Sequence, residues 1–421
     1  MTGSCQGTDK PHVTIIGAGV VGICCACYLQ RSGFKVTVID RLDPGMAASY
    51  GNAGGLGIGE VAPVSMPGIA FKVPGWLMDP TGPLALRLAY LPKITPWLLK
   101  FLFAGTKKRV LEISKSLATL CHLAYRDFDL LLQDAGIENI VQKNGALYLY
   151  DTEAEFQAEK LKWDLRREHG IGFERINGED LPSLEPDIAS DFGCAMLMKD
   201  WYHLSNPYRL VTTLAEHFVH QGGKIIKDEV SRIECVDSKA NRLSMRDGAT
   251  VDIESLVIAA GAWSHQLTRQ LGDRVPLESE RGYHTTLPDP GVYPSRQILY
   301  ASQNFVITPM EMGLRVAGTV ELAGLDAPPN YERARVLLPK AKRVYPALQT
   351  HDGMEWMGHR PALPDSLPII AQSPRALNVY YAFGHGHLGL TFGPTTGRLI
   401  TELIAGKTPE IDMKPYRVDR F

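Results

Sequence analysis

The sequence predicts an α/β protein in which one domain has a parallel sheet and a second, α+β domain is built on a mixed or antiparallel sheet. A glycine-rich turn joins a strand to a helix near residue 17, and another glycine-rich loop precedes a helix after residue 384. Between them, residues 275–315 carry short alternating runs that favour antiparallel strands. The 421 residues are enough for two domains with large cores.

The first strand, turn and helix carry the strongest signal. Val13–Ile16 is rich in β-branched residues and predicts a buried strand. Gly17, Gly19 and Gly22 follow in the spacing G-x-G-x-x-G. The first glycine permits a tight bend, the second lets a pyrophosphate approach the backbone, and the third lets the helix pack against the strand. Because a helix N-terminus offers free N–H groups, the segment predicts a phosphate site.

A second strand is predicted at residues 35–39, followed by Asp40 and Arg41. A carboxylate at the end of this strand can bind the hydroxyls of a ribose. An ordinary βαβ unit, with its glycines kept for packing, is the alternative. The two strands and the acidic residue together favour a site for an ADP moiety.

Residues 47–59, which include Ser49, Asn52, Ala53 and Gly54, contain too many glycines for a helix or a central strand. Such a segment allows a close approach to its backbone. Its position after a nucleotide-binding strand favours contacts with the reactive ring of a cofactor. A flexible linker is the alternative.

Residues 84–105 combine large apolar side chains with Arg87, Lys93 and Lys100, and Pro92 and Pro96 interrupt them. Basic residues among large apolar ones suit a helix that lies in a membrane interface. A helix pair packed into the core, with its lysine ammonium groups reaching solvent, is an equal alternative.

The rest of the chain alternates helical and extended patterns. Helices are predicted at residues 112–133, 152–169, 207–221 and 331–345, and strands at residues 145–150, 224–226, 229–235, 251–260, 283–287, 297–300, 304–309 and 313–318. Backbone groups at Val230 could meet an adenine edge, and the strand at 251–260 stops at Gly261, where no side chain blocks a pyrophosphate. Residues 358–361 and Asp365 are predicted to lie in a loop.

The C-terminal part returns to a nucleotide-binding pattern. A strand is predicted at Val379–Phe383, a loop at residues 384–389 and a helix from about residue 394 to 404. As in the first motif, a glycine-rich loop leads into a helix whose N-terminus offers free N–H groups. An extended cofactor, with a pyrophosphate at one end and an anion-forming ring at the other, would use both helix N-termini.

Composition excludes several classes. A net charge of −2 gives no reason to expect nucleic acid as a partner. The seven cysteines are an odd number, and three of them, Cys24, Cys25 and Cys27, cluster on the first helix, which argues against a disulfide framework. No two C-x-x-C pairs stand at the spacing of a metal site, and a cytoplasmic protein is favoured. The ten residues before Pro11 are polar and predict no export signal, and no apolar run is long enough to span a membrane.

Five motifs in order resemble the D-amino-acid oxidase-like family of FAD-dependent flavoproteins, and within it the bacterial D-amino-acid dehydrogenases. They are G-A-G-V-V-G with Asp40-Arg41, S-Y-G-N-A-G-G, A-A-G-A-W, G-H-R-P and G-H-G-H-L-G-L-T. The resemblance implies a Rossmann-like, glutathione-reductase-like FAD domain formed by residues 1–80, 201–272 and 357–421. Residues 81–200 and 273–356 would form the substrate domain.

The resemblance also assigns cofactor-binding residues. Those expected near the ADP half are Gly17, Gly19, Gly22, Asp40, Arg41, Val230 and Gly261. Those expected near the flavin ring are Ser49, Asn52, Ala53, Gly54, Gly386, Leu388 and Gly389. Relatives with a covalently attached flavin use a cysteine in the C-terminal part; no cysteine follows Cys235, so FAD is expected to bind noncovalently.

The motif arginine of the family falls on Arg360, which is expected to bind the substrate carboxylate through two parallel donors. A structural arginine beside a proline turn is the alternative. Tyr283 would add a hydroxyl to that carboxylate or else serve packing. His387 would contact the substrate or shape the last glycine loop, and the same alternatives apply less strongly to His385.

These assignments predict oxidation of D-amino acids, including secondary ones such as D-proline or hydroxy-D-proline, by hydride transfer from Cα to flavin N5. Electrons would pass to a quinone or another respiratory acceptor, with peripheral contact to the cytoplasmic face of the inner membrane. An oxygen-using oxidase of the glycine or sarcosine type and a non-catalytic flavin-bearing subunit of a larger dehydrogenase are the alternatives.

Overall fold

The structure, a computed structural model, describes residues 10–79 and 81–421. The first nine residues, on which the prediction of no export signal depends, lie outside the described residues. In chain order the strands are β1 (Val13–Ile16), β2 (Val36–Asp40), β3 (Gly55–Leu56), β4 (Leu84–Leu86), β5 (Val141–Gln142), β6 (Ala146–Tyr150), β7 (Glu174–Asn177), β8 (Cys194–Met198), β9 (Tyr202–Leu204), β10 (Lys224–Lys227), β11 (Val230–Val236), β12 (Lys239–Met245), β13 (Thr250–Asp252), β14 (Ser255–Ile258), β15 (Glu278–Leu287), β16 (Gln297–Tyr300), β17 (Phe305–Met310), β18 (Gly313–Leu322), β19 (Met354–Ala362), β20 (Ile369–Gln372) and β21 (Val379–Phe383).

The helices lie between these strands. They are α1 (Val20–Arg31), α2 (Ile69–Met78), α3 (Leu91–Ala104), α4 (Lys107–Ala135), α5 (Glu153–Ala158), α6 (Lys160–Glu168), α7 (Leu181–Leu184), α8 (Pro207–His220), α9 (Ser264–Gln270), α10 (Glu332–Arg335), α11 (Leu337–Val344) and α12 (Gly389–Ile404). The predicted amphipathic helix at 112–133 lies within α4, whose buried face includes Ile113, Leu117 and Leu131.

A largely parallel sheet has the strand order β10-β2-β1-β14-β21-β20 among the described residues. Its strands are apolar and buried on both faces at the centre, as parallel strands covered by helices are. Only β20 runs antiparallel to its neighbour, β21. All these strands come from the three segments predicted to form the FAD domain.

A larger mixed sheet has the order β19-β15-β18-β17-β16-β6-β8-β7, and β4 pairs with β18. Most neighbouring strands are antiparallel, whereas β16 pairs with β6 and β18 pairs with β4 in parallel. The predicted mixed or antiparallel sheet is thereby confirmed. Most of its strands come from the segments predicted to form the substrate domain. Strand β19 crosses the predicted domain boundary at residue 357.

Two helices that are far apart in sequence pack closely beside the parallel sheet. A Cβ at Gly397 of α12 would lie 2.6 Å from the carbonyl oxygen of Cys24 in α1. Only glycine allows this approach, and the small side chains of Cys24 and Cys25 are completely buried there. The cysteines of α1 therefore serve close packing.

The structure corrects several predicted elements. Residues 358–361 lie in β19 and not in a loop. The run at 251–260 is divided between β13, which pairs with β12, and β14, which pairs with β1 and β21. The predicted helices at 152–169 and 331–345 are each broken in two, and α12 begins at Gly389 instead of residue 394.

Residues 84–105 include β4 and α3, and α3 is packed into the core on one side and open to solvent on the other. Ile94 and Trp97 of α3 are buried, whereas Leu99 and Phe103 are exposed. No helix in the described part of the chain is both long and apolar enough to span a bilayer.

Candidate functional site

A cavity of about 1210 Å³ lies between the two sheets and is lined by residues of both. It includes the residues that follow β1, β2 and β14 at their carboxyl ends, where open α/β sheets bind their ligands. Every residue predicted to bind cofactor or substrate lines it, with the exception of Gly22. The structure therefore brings residues from distant parts of the chain to one site.

The G-x-G-x-x-G turn forms one end of the cavity. Gly17 has a φ of 116°, and a Cβ on it would lie 2.3 Å from the Ala259 oxygen. A Cβ on Gly22 would lie 1.9 Å from the Gly17 oxygen, so this residue acts by packing. Gly19 borders the cavity, and the Ser49 hydroxyl accepts a hydrogen bond of 3.0 Å from the Val20 N–H. The turn has the shape of a pyrophosphate cradle.

Asp40 and Arg41 border the next part of the cavity. The two carboxylate oxygens of Asp40 accept hydrogen bonds from the N–H groups of Ala18, at 2.6 Å, and Leu42, at 2.9 Å. Because both oxygens are held, the carboxylate has a fixed orientation at the cavity wall. The Arg41 guanidinium lies 4.3 Å from the Trp263 ring centroid. Val230 and Gly261 line the same region.

The glycine-rich segment after β2 is held by side chains of the mixed sheet. Arg315 donates to the Asn52 carbonyl at 2.6 Å. Gln297 and Thr308 each donate to the Ala53 carbonyl at 2.9 Å. These bonds do not fit the alternative of a flexible linker. They fix a wall of the cavity in which Gly54, with a φ of 72°, makes the turn.

A stacked pair supports the same segment from the mixed sheet. The His284 ring lies 5.1 Å from the Trp356 ring, and its Nδ1 is 2.9 Å from the Gly51 oxygen. A Cβ on Gly51 would lie 2.3 Å from the Trp356 ring, so only glycine fits there. Burial lowers the pKa of His284 to about 3, and this histidine therefore stays neutral.

The last glycine loop closes the cavity at the other end. Gly386 has a φ of 54°, and its N–H donates to the Pro361 carbonyl at 2.8 Å. Leu388 and Gly389 border the cavity where α12 begins. The Thr391 hydroxyl accepts a hydrogen bond of 2.9 Å from the Gly57 N–H. A second helix N-terminus thus meets the cavity.

These features fit FAD. The cavity is larger than the roughly 300–1,000 Å³ of a typical small-ligand pocket. A glycine cradle lies at one end and a helix N-terminus at the other, as an extended dinucleotide with an anion-forming ring requires. Gly17, Gly19, Asp40 and Arg41 would hold the ADP half, and residues 51–54 and 386–389 would surround the ring.

Arg360 lies beside this cavity on β19, directly opposite Glu280 on β15. Its guanidinium covers Gly282, where a Cβ would lie 2.3 Å from Nη2. One weak hydrogen bond, of 3.4 Å, joins Nη1 to the Thr319 carbonyl. Burial lowers the pKa of Arg360, and the charge of Glu280 opposes that shift. The remaining donors can bind a carboxylate.

His387 and His385 occupy different environments. The accessible side chain of His387 borders the cavity, and burial lowers its pKa although the charge of Glu60 raises it. The buried His385 ring lies 2.9 Å from the Thr396 hydroxyl, and burial lowers its pKa to about 3. His387 is thus placed to meet a ligand, while the contact of His385 is with the following helix.

The hydroxyl of Tyr283 is engaged elsewhere. It donates to Glu321 at 2.5 Å and accepts from the Asn330 N–H at 3.0 Å. Tyr283 lies an odd number of residues from Glu280, so strand alternation directs its side chain to the face opposite Arg360. Burial raises its pKa to about 12. Its only proton is therefore used by Glu321, and the expectation of a hydroxyl for the substrate carboxylate is not supported.

Sequence reasoning missed the acidic side chains of the cavity. Glu280 lies outside the predicted strand, which begins at Tyr283. Glu60 accepts hydrogen bonds from Tyr148, at 2.5 Å, and Arg166, at 3.2 Å. Burial raises the pKa of Glu60, but the charge of Arg166 and the hydrogen bond from Tyr148 lower it, and the net shift is downward. An alternating pattern begun at Glu278 would have shown Glu280 and Gly282 on one face.

The chain is similar to known proteins over almost its whole length. Residues 12–403 match the family model described as DAO, FAD dependent oxidoreductase. A D-amino-acid oxidase of Bradyrhizobium diazoefficiens is 39% identical over 420 residues, which cover 97% of this chain and 99% of that protein.

Solved structures show the same fold. Glycine oxidase from Geobacillus kaustophilus superposes with a TM-score of 0.74 at 22% identity, covering 98% of this chain and 100% of that one. L-proline dehydrogenase from P. horikoshii has a TM-score of 0.74 at 18% identity, with 98% of each chain covered.

Proposed function

Because the chain belongs to the DAO family of FAD-dependent oxidoreductases, we propose that it oxidises D-amino acids to imino acids. The observation that carries the proposal is the Arg360 guanidinium, which borders the cavity and leaves most of its donors unused within residues 10–79 and 81–421. A planar fork of donors matches a carboxylate. The name of the relative from Bradyrhizobium diazoefficiens favours the D configuration.

FAD supplies the hydride acceptor when it is bound, so the protein has to orient the substrate. Arg360 binds the carboxylate and thereby fixes the direction of the Cα–H bond. His387, which lies in the last glycine loop, borders the cavity. Trp97 and Phe101, whose rings stack at 5.1 Å, add apolar cover that excludes water. Secondary amino acids such as D-proline are candidates within this class.

We propose further that electrons pass to a quinone in a membrane. Residues 61–111 contain seven basic side chains and one acidic one. In the same region Phe71 is 90% exposed, Leu88 81% and Phe103 67%. Exposed apolar side chains among basic ones suit the surface of an anionic bilayer. Contact there would bring the cavity, which α2 and α3 border, close to a lipid-soluble acceptor.

An oxygen-using oxidase of glycine or another small amine is the second candidate. The relative from Bradyrhizobium diazoefficiens and the structure from Geobacillus kaustophilus are both named oxidases, which favours this candidate. A non-catalytic flavin subunit is the remaining alternative.

Anaerobic exposure of the FAD-loaded protein to D-amino acids, L-amino acids and N-methyl amines tests the proposal. We expect the flavin absorbance to bleach with D-amino acids. Bleaching by glycine or N-methyl amines alone would favour the second candidate. A flavin that stays oxidised with the whole panel would overturn the proposal in favour of the non-catalytic subunit.

A further inference from the structure

A second charged side chain faces the substrate part of the cavity. Glu280 on β15 is directly opposite Arg360 on β19 in an antiparallel pair. Directly opposite residues of such a pair project from the same face of the sheet. Both side chains are half-buried and border the same cavity. One anion and one cation therefore stand side by side at the place proposed for an amino acid.

The carboxylate of Glu280 makes no hydrogen bond or ion pair with another residue in the part of the chain that the structure describes. Glu278, two residues earlier on the same strand, differs in this respect. Its oxygens accept from the Tyr90 hydroxyl, at 2.9 and 3.1 Å, and from the Ser279 N–H, at 2.8 Å. Glu280 borders the cavity, so its carboxylate would lose hydration without gaining a protein partner when cofactor and substrate fill that space, and a cationic ligand would compensate this cost.

The proposed reaction supplies a ligand of the matching charge. An amino acid binds as a zwitterion, with its ammonium group one carbon away from the carboxylate that Arg360 holds. Hydride can leave Cα only when the nitrogen lone pair is free to form the C=N bond. The ammonium group must therefore give up one proton before the hydride moves.

We propose that Glu280 binds the α-ammonium group of the substrate and accepts its proton. This inference rests on the proposed function of the same site. An N–H bond of the substrate breaks and an O–H bond forms on Glu280, so the substrate becomes a neutral amine and Glu280 a neutral acid. The proton returns to solvent after the product has left.

The electrostatic surroundings agree with this role. Burial raises the pKa of Glu280, the charge of Arg360 lowers it and that of Glu278 raises it. His385 and His387 border a small recess together with Glu280. Burial lowers the pKa of both histidines, so they stay neutral near pH 7 and leave Arg360 as the main opposing charge. A base with a raised pKa accepts a proton more readily.

Glu280→Gln tests the inference, and Glu174→Gln, which neutralises an exposed carboxylate on β7 at the far edge of the same sheet, is the control. With D-alanine, the anaerobic rate of flavin bleaching at pH 7 should fall about 100-fold in Glu280→Gln and stay unchanged in the control. The acid limb of the pH profile should move to higher pH in Glu280→Gln, because the amine must then lose its proton to water.

Binding separates this role from a structural one. Propionate is D-alanine without its amino group, and equilibrium dialysis should show wild-type affinity for it in Glu280→Gln. If Glu280→Gln does not retain FAD, Glu280→Asp is used in its place. Its bleaching rate should be lower than that of the wild type, but the acid limb of its pH profile should stay at the wild-type position.

Three results would overturn the inference. The first is a wild-type bleaching rate and pH profile in Glu280→Gln. The second is an equal loss of affinity for propionate and for D-alanine in that variant. The third is a loss of rate confined to D-lysine and D-arginine, which would mean that Glu280 binds the cationic side chain of these substrates and not the α-ammonium group. A wild-type flavin that no amino acid bleaches would instead contradict the proposed function itself.

Discussion

At the scale of single residues, the proposed role of Arg360 as the anchor of the substrate carboxylate makes the first prediction. Arg360→Ala should raise the KM for a D-amino acid by a factor corresponding to about 2–5 kcal/mol, because a charge-assisted pair is lost. Arg360→Lys keeps the charge without the fork of donors and should recover only part of the loss. Steady-state kinetics measure both, with flavin content as the control for folding. An unchanged KM in Arg360→Ala would remove this residue from the site.

The place of a residue in the fold could be predicted where a motif fixes it. The glycines of the first turn and Arg360 were expected at one site from their motifs, and in the structure they line or support the cavity. Tyr283 could not be judged in this way, because its partner Glu321 comes from β18, far along the chain. Glu280 needed the strand register, which places it opposite Arg360.

At the scale of elements, the packing of α1 against β1 depends on Gly22. Gly22→Ala should abolish FAD binding and lower the Tm, because the new Cβ would overlap the Gly17 carbonyl, which lies 1.9 Å away. Gly75→Ala is the control, since nothing lies within 4 Å of a Cβ there. Flavin absorbance after purification and thermal unfolding report the result. Retention of FAD at a wild-type Tm would contradict the role of this contact.

The exposed apolar surface of α2 and α3 makes a separate prediction. Phe71→Glu combined with Phe103→Glu should weaken sedimentation with phosphatidylglycerol vesicles at least tenfold, because each buried phenyl group contributes about 1.5–3 kcal/mol. Tyr293→Glu changes an aromatic residue that is 79% exposed outside this surface and should have no effect. Vesicles of phosphatidylcholine alone should bind the wild type weakly. Equal sedimentation of all three proteins would exclude membrane contact through α2 and α3.

The presence of helices and strands could be predicted from the periodicity of apolar residues. The neighbours with which each strand pairs could not. Glycine and proline at residues 358–361 predict a loop, but these residues lie in β19. Among the described strands β19 pairs with β15 alone, at the edge of the mixed sheet, so the missing N–H of Pro361 leaves no second strand without a hydrogen bond. The run at 251–260 predicts one strand, because its residues do not reveal that β13 and β14 join different sheets.

At the scale of the whole molecule, FAD should connect the two sheets. Removal of the cofactor should lower the Tm, since a ligand present at 100 times its Kd stabilises the folded state by about 2.7 kcal/mol. Thermal unfolding of the apo and FAD-loaded protein measures the difference, and FMN, which lacks the ADP half, is the control. A Tm that does not respond to FAD would contradict a cofactor bound between the sheets.

The electron acceptor is also a property of the whole molecule. With one D-amino acid, a dehydrogenase should reduce a quinone analogue many times faster than it produces peroxide in air. A peroxide yield equal to the substrate consumed, at the same rate, would identify the oxidase. The fold and the cofactor could be predicted because five family motifs occur in order along the chain. The electron acceptor could not, because access of oxygen to a flavin depends on channels that no sequence motif records.

The contact between Cys24 and Gly397 has a consequence for synthesis on the ribosome. The helix α1 ends at Arg31, whereas α12, which covers its cysteine-lined face, begins only at Gly389. Throughout the synthesis of the residues between them, the nascent chain therefore exposes an apolar surface that can aggregate. Chaperones that shield nascent chains would act on this helix, and a ribosome that stalls before residue 389 would release a product unable to hold its cofactor.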